Sequence, residues 1–265
     1  MGDALIFGLC TAVGLGATAM NVRVAWRRRY DESSGISRWA RASAFAVVTI
    51  GVLLAVPAVA SVVGSLTGVP NIAKLGAHLC AVAWCCSLQI MLVDWAYEQW
   101  AVPTHVGYRI FLGCGVTAAL VPLFIAASDD APNITYTTDF AGNRTVMAYL
   151  LVYLSYVAVT CAELTFLCLK AGAINARAGR RQQAIGLRIA SVAALFGMAY
   201  GASKGSYLIS YTTGSPWSLA LEQKLSPALA GVAIVALIVG LSISASSALR
   251  RTPPGPAGEA CGPAD

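Results

Sequence analysis

Four polar residues, Lys74, His78, Cys85 and Gln89, punctuate a stretch that is otherwise strongly apolar. At about 100° per residue they lie within roughly 60° of one another on one helix face. Tyr149, Tyr153, Tyr156, Thr160 and Glu163 make a second stripe of this kind, and Tyr200, Lys204, Tyr207 and Tyr211 a third. The chemistry open to such a set is recognition. Lys204 offers charge to an anionic or zwitterionic small molecule, His78 a titratable donor, and the tyrosine hydroxyls orientation. The ligand-binding candidates are Lys74, His78, Gln89, Tyr153, Tyr156, Glu163, Tyr200, Lys204 and Tyr207. A structural explanation competes with this one. Tyrosine and glutamine often only join helices, and Lys74 and Lys204 can snorkel to a surface.

Other chemistries find little support. There is no Gly-rich phosphate loop, no His-Glu-x-x-His and no Gly-x-Ser-x-Gly. Two histidines leave no room for a multi-histidine metal centre, and no Cys-x-x-Cys pair occurs, so neither a metal nor another cofactor is expected. Seven of the eight cysteines fall in apolar segments and Cys261 in the tail, which predicts no structural disulfide. The last apolar segment has no lysine for a retinal Schiff base. Asp94 and Glu163 could serve a membrane-embedded enzyme as acids, but they sit on separate segments without an Asp-rich diphosphate motif.

The elements that must position these residues are set by composition. Of 265 residues 57% are hydrophobic and 11% charged, where a soluble domain carries about 25% charged residues. Mean hydropathy is +0.69. A soluble enzyme, a disordered chain and a coiled coil are excluded. A helical span needs about 20 apolar residues. Seven such segments occur, at 4–26, 39–66, 72–97, 108–127, 146–170, 185–211 and 225–248. Long apolar runs rather than short alternating ones exclude a barrel. The predicted fold is an all-α polytopic membrane protein with seven transmembrane helices over residues 1–248, followed by a disordered tail at 249–265. No cleavable signal is expected, because Met1-Gly2-Asp3 lacks a positive region and the first run is long enough to span.

The net charge of +6 would suggest nucleic acid in a soluble chain. Here it reads as flanking charge. Arg23, Arg27–29, Arg38, Arg41, Arg109, Lys170, Arg177, Arg180, Arg181, Arg188, Arg250 and Arg251 fall toward one side, leaving Lys74, Arg144, Lys204 and Lys224 toward the other. The arginine-rich side is expected to be cytoplasmic, with the amino terminus outside and the carboxyl terminus inside the cell membrane. The largest outer loop, 128–145, carries Asp129, Asp130 and Asp139 and two Asn-x-Thr triplets, at Asn133 and Asn143.

Seven residues from the outer end of its span, Lys204 is expected about 10 Å deep, and Glu163 lies a similar distance from the inner end. A direct pair between them is not expected. A buried ammonium needs compensation that tyrosines cannot give, so a ligand anion near Lys204, Tyr207, Tyr211 and His78 is the expectation.

An offset of 146 residues maps span 1 onto span 5 and span 2 onto span 6, and brings span 3 near span 7. It also superposes Thr67-Gly68-Val69-Pro70 on Thr213-Gly214-Ser215-Pro216. This suggests parallel repeats in a 3+1+3 order, as in some small transporters. Gly64 and Gly68 have helix-pairing spacing, but Gly68 falls in the turn and gives dimerisation little support.

Asn71-Ile72-Ala73-Lys74-Leu75 with Ala77-His78-Leu79-Cys80, the stretch Ala148-Tyr149-Leu150-Leu151-Val152-Tyr153-Leu154, and the Lys204 segment carry a resemblance. Over most of 4–248 the chain resembles an actinobacterial family of multi-pass integral membrane proteins, usually described as transporters of unknown substrate. Many members continue into a cytoplasmic domain, where this chain ends in a short tail. The resemblance implies a transporter or permease-like protein for a small solute. A sensor or scaffold, with basic inner loops contacting a partner, is the alternative, and a lipid or isoprenoid enzyme a third. Expected partners are membrane lipid, a small-molecule ligand, and a second copy or a cytoplasmic protein, without nucleic acid.

Overall fold

The structure, a computed structural model, describes residues 2–27, 35–130 and 136–249. Arg28, Arg29, the Asn133 triplet, Arg250, Arg251, Cys261 and the tail from 250 lie outside the described residues. Among the described residues eight α-helices follow in order: α1 Gly2–Arg27, α2 Gly35–Ala55, α3 Pro57–Thr67, α4 Ile72–Ala96, α5 Val102–Asp130, α6 Arg144–Arg177, α7 Arg181–Thr212 and α8 Leu219–Leu249. A 3-10 turn, Thr138–Phe140, precedes α6. Seven helices are long and apolar enough to cross a membrane, all but α3. Among the described residues there is no strand. The outside of the bundle is apolar as well, with Leu5, Phe111 and Phe166 each more than 60% exposed. Such a surface needs lipid as its solvent. The protein is a seven-helix integral membrane protein.

The expected span 39–66 is not one helix. It breaks at Val56, which is extended (φ −69°, ψ 124°), and restarts with Pro57 in the first turn of α3. Proline disfavours helical geometry in the residue before it, and its own fixed φ suits a helix start. Pro122 and Pro227 lie inside α5 and α8, which continue past them. None of the α3 residues is buried. α4 ends one residue short of its expected span, and the remaining helices extend theirs. In particular α8 begins at Leu219 rather than 225, which brings Glu222 into the membrane-spanning part. Asn143 caps α6, its side chain accepting from the Thr145 and Val146 amides at 2.9 and 3.0 Å.

Six helices close a ring. α1 packs on α2, α2 on α4, α4 on α6, α6 on α7, α7 on α8, and α8 back on α1, while α5 stands outside against α4 and α6. The last helix of each set of three spans thus packs on the first helix of the other set. The matched turns agree in backbone, since Gly68 (φ 68°) and Gly214 (φ 74°) both take the left-handed conformation that glycine adopts without strain. The second triplet keeps α7 continuous where the first breaks into α2 and α3. α4 and α7 line a cavity that lies between them.

Candidate functional site

The cavity measures about 780 Å³ and is lined by every helix except α5. Its polar residues gather at the end opposite the arginine clusters. Lys74 and His78 come from α4, Tyr153 from α6, Tyr200 and Lys204 from α7, and Asp139 and Gln223 from the 3-10 turn and α8. Asp139 and Gln223 are exposed, so the cavity meets the surface there. Below His78 the lining turns apolar, with Leu88, Leu154, Val157, Leu164, Ile234 and Leu237. The polar exceptions are the thiols of Cys85 and Cys161 and the indole of Trp84. Toward the arginine-rich end Met91, Leu92, Leu167, Leu187 and Leu241 follow, each at most 3% exposed. They form a packed apolar floor.

Lys204 has a partner that the sequence reading placed in a linker. Its Nζ lies 3.0 Å from Glu222 Oε1, and Glu222 is completely buried. The carboxylate also accepts from Ser226 Oγ and from Thr138 Oγ1, each at 2.6 Å. An isolated buried carboxylate is strongly disfavoured, and an ammonium with two hydroxyls supplies the charge and the donors it needs. The ligand anion expected to compensate Lys204 is thus not required for that purpose. Helical periodicity carried backward from 225 through the i, i+4 pair Glu222 and Ser226 would have revealed it.

Neighbouring bonds fix the rest of the polar end. Gln223 Nε2 donates to Asp139 Oδ1 at 2.5 Å, and Thr137 Oγ1 to Asp139 Oδ2 at 3.0 Å. His78 stacks on Tyr153 with centroids 4.3 Å apart, and its Nδ1 lies 2.7 Å from the Tyr149 hydroxyl. Tyr149 meets Tyr136 edge-on at 5.0 Å, and Tyr136 OH donates to the Phe124 carbonyl at 2.5 Å. An aromatic chain from α5 through α6 therefore holds the imidazole in place.

The other candidates lie elsewhere. Gln89, Tyr156 and the half-buried Glu163 belong to a second cluster that does not line the cavity. Gln89 Nε2 donates to Glu163 Oε2 at 2.6 Å, Tyr156 OH donates to Gln89 Oε1 at 3.4 Å, and Arg109 on α5 pairs with Glu163 Oε1. Arg109 is 6% exposed, so it is an internal ion-pair partner rather than a flanking surface charge. This cluster ties α5 to α4 and α6. Tyr207 packs edge-on against Trp217 at 5.9 Å and is likewise absent from the cavity wall. Of the nine candidates, the structure brings Lys74, His78, Tyr153, Tyr200 and Lys204 around one cavity. The chain matches no family model, no curated protein and no solved structure.

Proposed function

We propose that this seven-helix protein is a transporter or permease-like protein of the cell membrane that takes up an anionic or zwitterionic solute in the ring cavity. The observation that carries this reading is the convergence of Lys74, His78, Tyr153, Tyr200 and Lys204 on a cavity of about 780 Å³, within the ordinary range of about 300–1,000 Å³ for ligand sites. The triplet packing supports it, because two similar halves around a central site can rock against each other to change access. Membership in the actinobacterial family of membrane proteins, and the orientation with the arginine-rich end in the cytoplasm, belong to this proposal. A sensor is the second reading, favoured by the packed apolar floor beneath the cavity, which closes it toward the arginine-rich end.

Binding is tested by thermal stabilisation in neutral detergent against a panel of carboxylates, phosphates, amino acids and lipids. At a hundredfold excess over its Kd a ligand adds about 2.7 kcal/mol. At least one anionic or zwitterionic member should stabilise the natural chain and not the Lys204→Met/Glu222→Gln double variant, in which the buried charges are removed together. A panel without a single shift, or a shift undiminished in the double variant, counts against the reading. Orientation is tested separately in whole cells. An impermeant thiol reagent should label Ser215→Cys, at an exposed turn, and spare Ala178→Cys at the other end. The reverse pattern would invert the site relative to the membrane.

A further inference from the structure

We infer that the cavity's ligand is a zwitterionic amphiphile of the lysophospholipid class, with a head of no net charge and an apolar chain below it. The inference rests on the reading of the cavity as the site of an anionic or zwitterionic solute, and decides between the two. Its first basis is the distribution of polarity with depth. From Lys74 to Leu88 on α4, from Leu150 to Leu164 on α6 and from Gln223 to Leu237 on α8, the lining spans 14 residues, or about 21 Å of helix. Charges stand only at its outer end. From His78 to Leu88 the remaining depth is about 15 Å, half of a hydrocarbon core of about 30 Å and thus the length of one leaflet's acyl chain. A small hydrophilic solute would leave Leu88, Leu154, Val157, Leu164, Ile234 and Leu237 facing water or a void. Ordered water needs two to four polar partners, which these side chains do not give, and a void forfeits their dispersion contacts. An alkyl chain restores those contacts. The mouth suits a ligand carried by lipid. Pro57 and Ser61 line the cavity and are exposed. They belong to α3, an apolar helix without a buried residue, so the cavity opens beside a surface that needs lipid as its solvent.

The head follows from charge balance. Among the described residues four charged groups stand at the polar end. Lys74, Lys204 and Asp139 are on the wall, and Glu222 lies behind Lys204, 3.0 Å from its Nζ. The four sum to zero. Neither ammonium is free, since Lys204 pairs with Glu222 and Lys74 is itself engaged. A net anion would bring one uncompensated charge into an apolar surrounding, which is costly. A zwitterion brings none and still meets groups of both signs. Lys204 keeps donors beyond the one facing Glu222, because an ammonium has three, and these suit a phosphodiester oxygen. Asp139 and the rings of Tyr153 and Tyr200 suit the ligand's own ammonium group. Trp84, one of the deeper lining residues, would touch the chain.

The experiment uses the full chain in nanodiscs of diacylphosphatidylglycerol, a bilayer without zwitterions. Lysophosphatidylcholine brominated at mid-chain should quench Trp84 saturably, and that component should vanish in Trp84→Phe. Displacement by unlabelled competitors of the same chain is then read as recovery of Trp84 emission against mole fraction in the bilayer. Lysophosphatidylcholine should displace at about tenfold lower mole fraction than the anionic lysophosphatidylglycerol or the uncharged monoacylglycerol. Glycerophosphocholine, the same head without a chain, should not displace at millimolar concentration. Asp139→Asn removes one negative charge from the mouth and should turn the preference toward lysophosphatidylglycerol. Lys204→Met/Glu222→Gln should lose the preference for lysophosphatidylcholine over monoacylglycerol. Equal displacement by lysophosphatidylglycerol or monoacylglycerol, or a preference unmoved in Asp139→Asn, would overturn the zwitterionic head. Displacement by glycerophosphocholine as strong as by lysophosphatidylcholine would overturn the amphiphile and leave the solute-binding proposal standing. An absence of saturable quenching, with a stabilising solute found in the detergent panel, would do the same. No ligand in either experiment would overturn both.

Discussion

Lys204→Met alone should destabilise the protein by about 3–5 kcal/mol, the usual consequence of stranding one member of a buried ion pair, and Glu222→Gln in the same chain should restore most of the loss. The asymmetry lies in burial. Glu222 has 0% of its side chain exposed, while Lys204 keeps 19%. A carboxylate left behind has Thr138 and Ser226 as donors but no countercharge, whereas Lys204 left behind can reach the polar end of the cavity. Glu222→Gln by itself should therefore cost less, about 1–3 kcal/mol for disturbed hydrogen bonds. Thermal midpoints of the four proteins in one detergent close the double-mutant cycle. A Lys204→Met protein as stable as the natural chain would mean that the ion pair is not formed in the membrane. The sequence alone suggests a different result, normal folding with loss of ligand response, because it shows Lys204 without its partner.

Gly240→Leu should separate α7 from α8 and abolish stable folding, and Gly240→Ala should cost about 1–3 kcal/mol. A Cβ at Gly240 would stand 2.7 Å from the Ala190 amide nitrogen and 2.7 Å from the Gly186 carbonyl oxygen. One at Gly186 would stand 2.5 Å from the Gly240 carbonyl and 2.6 Å from the Ser244 nitrogen. These are backbone atoms, which cannot rotate aside, so the helices must move apart. Small residues four apart, Gly186 with Ala190 and Gly240 with Ser244, are what such a close crossing needs. Gly205→Ala and Gly115→Ala are the controls. Nothing lies within 4 Å of a Cβ at either, and replacing an open helical glycine by alanine gains up to about 1 kcal/mol. If Gly240→Ala melts together with Gly205→Ala, the crossing is looser than described. Within the chain the Gly64 and Gly68 pair drawn from the sequence makes no such crossing, since a Cβ at either meets nothing within 4 Å.

Both results turn on contacts between different helices, which the pattern within one segment does not show. Arg109 looked like a flanking charge because position within a span was judged by hydropathy alone. It pairs with Glu163 across 54 residues. Glu222 looked like a linker residue because a charged Glu-Gln-Lys run, followed by Pro227, ends the apolar pattern early. Its helix nevertheless continues to Leu219, since a buried partner supports the charge that hydropathy penalises. The break at Pro57 was obscured for the opposite reason: the apolar run continues through it, and only the backbone changes direction.

What the sequence by itself determined was the solvent and the elements. Lipid tolerates only segments that satisfy their own backbone, so long apolar runs become helices whatever surrounds them, and the number of spans follows from counting. The polar stripes on α4, α6 and α7 were legible for the same reason, because helical periodicity is local. Only the tertiary structure decided which stripes meet. It set Lys74, His78, Tyr153, Tyr200 and Lys204 around one cavity, moved Gln89, Tyr156 and Glu163 to a separate cluster with Arg109, and gave Lys204 its carboxylate. The rotation and neighbours of each helix depend on packing and on the cancellation of buried charge between different helices. Arg109 and Glu163 are 54 residues apart, and Lys204 and Glu222 sit on different helices on either side of a turn, so the periodicity of one segment shows neither pair.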